Sequence, residues 1–179
     1  MAKSSLESML QCARRRAITG AGALAFAFAA LAAGTGAPLA PAQALPRLGE
    51  AGGELSLASL RGRVVYVDFW ASWCAPCRQS MPYLDGLHRR LGERGLTVVG
   101  INKDEVPADA QRFLRRVPVS FPLLADPGDG AARAFGVTSM PGGFLVDRAG
   151  RVRFRHGSLA GESASALEAQ IDALLRERP

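Results

Sequence analysis

Residues 64–69 read Val-Val-Tyr-Val-Asp-Phe, and Trp70-Ala71-Ser72-Trp73 then lead into Cys74-Ala75-Pro76-Cys77. A near-continuous β-branched and aromatic run predicts a central strand buried on both faces. Pro76 suits a first helical turn, and Met81, Leu84, Leu87 and Leu91 recur behind it at helical spacing. The chain must therefore hold a buried strand that empties into a helix with two cysteines at its head. Such a pair closes a disulfide with little backbone movement. The first thiol also faces the positive end of the helix dipole, which favours its thiolate.

The 179-residue chain, 48% hydrophobic, is sized for one globular domain and an appendage. The appendage is N-terminal. Arg14-Arg15-Arg16 precede a nearly uncharged run, Ala17 to Ala33, and a Pro- and Gly-containing stretch ends in Ala42-Gln43-Ala44. These are the parts of a cleavable secretory signal over residues 1–44. Processing is expected after Ala44 rather than after Ala37 or Ala40, each of which precedes a proline. The arginines loosely resemble a twin-arginine export signal. The apolar run is also close to the roughly 20 residues of a spanning helix, so an uncleaved membrane anchor is the alternative to a free periplasmic protein.

Processing removes Cys12 and leaves Cys74 and Cys77 as the cysteines of residues 45–179. A domain of that length buries an adequate core without a disulfide staple. The pair is therefore expected to cycle rather than to brace. Of the formal charge of +6, residues 1–44 carry +3. The arginines at 112, 115 and 116, and at 148, 151, 153 and 155, fall at spacings of solvated faces. Nucleic acid is not an expected partner.

Further along, Leu45 to Gly53 reads as irregular and Leu55-Ser56-Leu57 as a short edge strand. Pro82 should kink the helix that follows the cysteines. Leu96 to Asn102 predicts a second central strand, and Ala110, Phe113, Leu114 and Val117 an amphipathic helix. Phe121 to Leu124 predicts a strand and Gly130 to Phe135 a short helix. Residues 143–147 and 152–156 read as a hairpin closed at Arg148-Ala149-Gly150. Leu167, Ile171, Leu174 and Leu175 mark a last helix. This order describes one α/β sheet with helices on both faces.

With Phe69-Trp70-Ala71-Ser72-Trp73-Cys74-Ala75-Pro76-Cys77 and Gly136-Val137-Thr138-Ser139-Met140-Pro141-Gly142-Gly143-Phe144 in this order, the chain resembles the thioredoxin superfamily over roughly residues 45–177. Within it the chain is most similar to the exported TlpA/ResA-like thiol–disulfide oxidoreductases. Asp104 to Asp129 adds a helix and a strand that plain thioredoxins lack. The resemblance implies a thioredoxin-like fold, a central mixed β-sheet flanked by helices, with this TlpA/ResA-type insertion. It implies a redox-active disulfide between Cys74, the nucleophile, and Cys77, the resolving thiol. Asp68 corresponds to the buried acid that handles the resolving thiol's proton, and burial should raise its pKa. Pro141 should follow a cis peptide bond, Met140 should offer backbone to a bound target, and Trp73 and Pro76 should flank the site.

The resemblance further implies exported substrate proteins with cysteines or disulfides, a membrane electron donor of the DsbD/CcdA type, no cofactor and a monomeric chain. Its activity is expected to be reduction of protein disulfides. Cytochrome c maturation and copper-site assembly are the alternative duties. Three positions depart from the related patterns. Ser80 stands where ResA-like members often carry Glu, and Gly142 where cytochrome c maturation members often carry Glu. Gly100 stands where many thioredoxins place a lysine beside the buried acid.

Other uses of two close cysteines fit less well. Zinc needs four ligands, and only His88 and His156 could complete the set. Both read as surface histidines. The copper-carrying thioredoxin-fold proteins resemble Cys-x-x-x-Cys rather than the spacing here. A peroxidase would want a lone cysteine preceded by Pro and Thr, and Ala71-Ser72-Trp73 is not that.

Overall fold

A computed structural model describes residues 36–49 and 52–178; of the signal expected over residues 1–44, residues 1–35 with Cys12 lie outside them. Strands β1 (Ala44–Pro46) and β2 (Glu54–Ser56) form a small antiparallel ribbon. There follow β3 (Val64–Trp70), α1 (Ala75–Leu91), β4 (Leu96–Asn102), α2 (Pro107–Leu114), β5 (Leu123–Ala125) and α3 (Gly130–Phe135). The chain ends with β6 (Gly142–Val146), β7 (Val152–His156) and α4 (Glu162–Arg176).

The five-stranded sheet has the order β5-β4-β3-β6-β7, with β3 parallel to β4, β4 parallel to β5, and the β3–β6 and β6–β7 pairs antiparallel. Every residue of β3 and β4 is buried, which is why both read as continuous apolar runs rather than alternating ones. Alternation survives as a division of faces. Val64, Tyr66 and Trp70 join the core built with Cys77, Met81, Leu84 and Leu87 of α1 and Leu167, Ile171 and Leu174 of α4. Val65, Val67 and Phe69 join the opposite core with Ala131, Ala132 and Phe135 of α3. There Phe69, Phe135 and Phe144 meet edge-on or tilted, with centroids 4.8–5.8 Å apart, the geometry that aromatic quadrupoles prefer.

Three expectations shift. Residues 45–53 are not wholly irregular, because Ala44–Pro46 pairs with Glu54–Ser56. The fifth strand begins at Leu123 rather than Phe121, since Pro122 has no N–H to place in a ladder. The helix after the cysteines runs unbroken across Pro82. Pro82 and Arg78 both lie on the exposed side of the helix, where the loss of one backbone bond is tolerated.

The folded unit also takes in chain before Leu45. The Val152 N–H donates to the Pro38 carbonyl at 2.9 Å and the Ala40 N–H to the Gly150 carbonyl at 2.8 Å. From there the segment crosses the α3 face to the far edge, where the Leu48 N–H donates to the Leu123 carbonyl at 2.8 Å. The segment thereby covers the β5 edge, which would otherwise present unpaired backbone.

Candidate active site

Strand β3 delivers the chain to the cysteines at its C-terminal end. Cys74 is the N-cap of α1, and its Sγ accepts the Cys77 N–H at 3.3 Å. The two sulfurs are joined in a disulfide, with Cα atoms 5.3 Å apart. Cys77 is fully buried, whereas Cys74 keeps 5% of its surface exposed. A helix-capping sulfur that holds a backbone N–H and faces the dipole is stabilised as a thiolate once the disulfide opens. Trp73, 65% exposed, stands beside it, and Pro76 is exposed in the first helical turn.

The Met140–Pro141 peptide is cis. The antiparallel register sets Gly142 opposite Phe69, so the Met140–Pro141 loop enters the sheet at the end from which Ala71–Cys74 leaves it. Both residues are half-buried. The structure thus brings Trp73, Cys74, Pro76, Met140 and Pro141 to one end of the sheet.

Asp68 sits mid-strand on the face of Tyr66 and Trp70, against which α1 packs Cys77. It is 2% exposed, and its Oδ2 makes no hydrogen bond among the described residues. Desolvation alone pushes its carboxyl up to about 8. Its lateral neighbours are Gly100 on β4 and Gly143 on β6. No cation lies beside it in the sheet, and in the disulfide form the carboxyl keeps its proton until the pH approaches about 8. Ser80, the position of the missing Glu, is buried and donates its hydroxyl to the Cys77 carbonyl at 3.0 Å.

The sequence reading missed Asp104. Its carboxylate accepts the Ser72 N–H at 3.0 Å, the Ser72 hydroxyl at 2.8 Å and the Asn102 side-chain amide at 2.8 Å. The loop ahead of Cys74 is thereby tied to the end of β4. The histidines were also misjudged as plain surface residues. His88 accepts the Val98 N–H through Nδ1 at 3.3 Å. His156 is half-buried, with its Nε2 enclosed. Burial lowers the pKa of each. Among the described residues no three His, Cys, Asp or Glu side chains gather as a metal site, and no helix is long and apolar enough to cross a membrane.

Comparison with known proteins agrees with this geometry. The redoxin family model matches residues 33–171. The thiol-disulfide oxidoreductase ResA of Bacillus thuringiensis subsp. konkukian is 31% identical over 101 residues, 56% of this chain and 58% of its own. ResA of Geobacillus thermodenitrificans is 33% identical over 102 residues, 57% of this chain and 59% of its own. The match spans less than two thirds of the length of these curated relatives. A solved structure described as a candidate thiol:disulfide interchange protein DsbE from Chlorobium tepidum superposes with a TM-score of 0.74 at 41% identity, covering 78% of this chain and 96% of that one. The chain belongs to the redoxin family, in the TlpA/ResA-like part of the thioredoxin superfamily.

Proposed function

We propose that this chain is an exported thiol–disulfide oxidoreductase that works as a reductase of protein disulfides. The observation that carries the reading is the Cys74–Cys77 disulfide capping α1, above a sheet face that holds the unpaired acid Asp68. In the reduced state the Cys74 thiolate attacks a target disulfide, and a mixed disulfide forms as one target thiolate leaves. Asp68 takes the Cys77 proton. The Cys77 thiolate then attacks Cys74 Sγ, re-forms the internal disulfide and releases the target reduced. Met140 and Pro141 lie where a target strand can add to the sheet end, with Trp73 and Pro76 as its apolar rim.

Export to the periplasm is supported by the basic, apolar and small-residue segments of residues 1–44. The chain acts as a monomer, takes electrons from a membrane donor of the DsbD/CcdA type and passes them to exported proteins. Trapping tests the reading. Cys77→Ser halts the reaction at the mixed disulfide on Cys74, so target proteins accumulate on that variant and none on Cys74→Ser. Absence of trapped protein on Cys77→Ser overturns the proposal. Recovery of apocytochrome c or of copper-assembly proteins would assign the duty within it.

A further inference from the structure

Two buried polar side chains on the face of Asp68, Tyr66 and His156, have no part in the scheme above. Tyr66 is fully buried, yet its hydroxyl makes no hydrogen bond among the described residues; nor does Oδ2 of Asp68 or Nε2 of His156. An enclosed polar atom without a partner is costly, and with Trp70 Nε1 four share one sheet face. The strand register explains how they meet. Gly143 of β6 pairs with Asp68 on one side and with His156 of β7 on the other. Residues directly opposite on neighbouring strands point to the same face about 5 Å apart. Asp68 and His156 are thus second neighbours, separated by a position that carries no side chain.

The Tyr66 hydroxyl fills that position. A Cβ built on Gly143 would overlap this hydroxyl before any other group, so the tyrosine leans from its own strand into the gap between acid and imidazole. The Tyr66 and His156 rings lie 5.9 Å apart. The electrostatic neighbours agree. Burial and then the nearby Asp68 and Tyr83 hold the Tyr66 phenol protonated well above its ordinary range. Desolvation, opposed by the Gln170 side chain, keeps His156 neutral to lower pH than usual, and a neutral imidazole has one ring nitrogen open to a proton. Around the row, α1 contributes Tyr83, whose hydroxyl is bound to Glu168 of α4 at 3.1 Å, α4 also brings Gln170 to His156, and on the β4 side the Trp70 indole nitrogen lies over Gly100 at the level of Asp68.

We propose that Tyr66 and His156 are positioning residues for the proton step, forming with Asp68 a row across β3, β6 and β7 that connects the buried carboxyl to the edge of the sheet. The proposal rests on the role given to Asp68 above. As the dithiol is oxidised, the Cys77 S–H bond breaks and its proton goes to the Asp68 carboxylate. The Cys77–Cys74 bond forms and the Cys74–target bond breaks, with the electron pair leaving on the target thiolate. Asp68 is left protonated beneath a closed disulfide and a docked target. Its proton passes to the Tyr66 oxygen as that oxygen gives its own to His156, and leaves from the half-buried edge strand β7. The target thiolate takes a proton from water, so charge balances. Reduction of the disulfide runs the row in reverse.

Rapid mixing of the reduced Cys12→Ser chain with oxidised glutathione separates the steps, since Cys74 releases the first glutathione and Cys77 the second. Tyr66→Phe and His156→Gln are expected to leave the first release unchanged and to slow the second roughly tenfold, against ~100-fold or more for Asp68→Asn, which removes the acceptor itself. Tyr66→Phe should also move the inflection of the second release to higher pH, because a polar hydroxyl near the otherwise unpartnered carboxyl is replaced by C–H. A merely structural tyrosine would lower the unfolding midpoint and leave the second release and its pH profile alone. If Tyr66→Phe does not fold, His156→Gln on the edge strand carries the same measurement. Slow Asp68→Asn with both row variants at the wild-type rate overturns the row and leaves Asp68 in place. Wild-type behaviour of Asp68→Asn overturns both.

Discussion

Asp104 receives both the backbone N–H and the hydroxyl of Ser72, two residues before Cys74. One carboxylate, reached 32 positions later in the chain, therefore sets the exit of β3 into the redox helix. Asp104→Ala leaves the Ser72 amide unpaired at a partly buried site. We expect a loss of about 2 kcal/mol of stability and faster reduction of the Cys74–Cys77 disulfide by an added thiol as the loop loosens. Urea unfolding and the rate of reduction by dithiothreitol check the two halves separately. Wild-type behaviour in both would show that the loop is held by its packing alone.

Burial of Asp68 makes stability depend on pH in a definite sense. Its folded pKa of about 8 lies above the value of 3.8 it has in solution, so between those values the folded oxidised protein holds a proton that the unfolded chain has lost. Stability from this group is therefore complete below about pH 4 and declines as pH rises through about 8. Asp68→Asn should remove that decline and exceed the wild type above pH 8, by on the order of a few kcal/mol. Denaturant midpoints measured from about pH 5 to about pH 9 decide the matter; parallel curves for the two proteins would contradict the burial of an unpaired acid.

The two glycines that open β6 should respond differently to a methyl group. At Gly143 a Cβ would overlap the Tyr66 hydroxyl and the ring carbon that bears it, whereas at Gly142 the nearest atom is Val137 Cγ1 at 3.3 Å. Gly143→Ala is expected to cost ~1–3 kcal/mol through displaced packing, and Gly142→Ala distinctly less. Equal losses in thermal unfolding would mean that Tyr66 does not occupy the gap.

Removing residues 1–44 takes away part of the folded unit. It deletes the backbone bonds of Pro38 and Ala40 to the β6–β7 turn and the bond from Arg151 to the Ala37 carbonyl at 3.0 Å. A chain beginning at Leu45 should be less stable than one beginning at Gly34 by roughly 2–3 kcal/mol, at about 1 kcal/mol for each net hydrogen bond. Chemical denaturation of the two purified chains makes the comparison, and mass spectrometry of the protein isolated from cells shows which start they use.

Much of this architecture was legible because its signals are local. Val64 to Phe69 announces a strand covered on both sides, and the spacing of Met81, Leu84 and Leu87 announces the helix that covers it. Cys74 and Cys77 are neighbours within one helical turn. What was not legible depends on pairing between distant strands. Tyr66 reads as one more apolar strand residue until the register sets Gly143 between Asp68 and His156. Ala44–Pro46 is too short to show a period and contains a proline, so its pairing with Glu54–Ser56 leaves no trace in the composition. His88 sits among arginines on a helix, and only the placement of β4 reveals that its ring receives the Val98 amide.

The central claim is that Cys74 and Cys77 form a pair that exchanges with other thiols and gives up electrons readily. Equilibrating the protein across thiol–disulfide buffers, with the neighbouring Trp73 as fluorescent reporter, measures the reduction potential directly. We expect a single two-electron transition near the reducing end of the range, around the roughly −270 mV of thioredoxin. A transition near about −120 mV, the value of a strong disulfide donor, would contradict a reductase, and a pair that does not titrate at all would contradict the exchange itself.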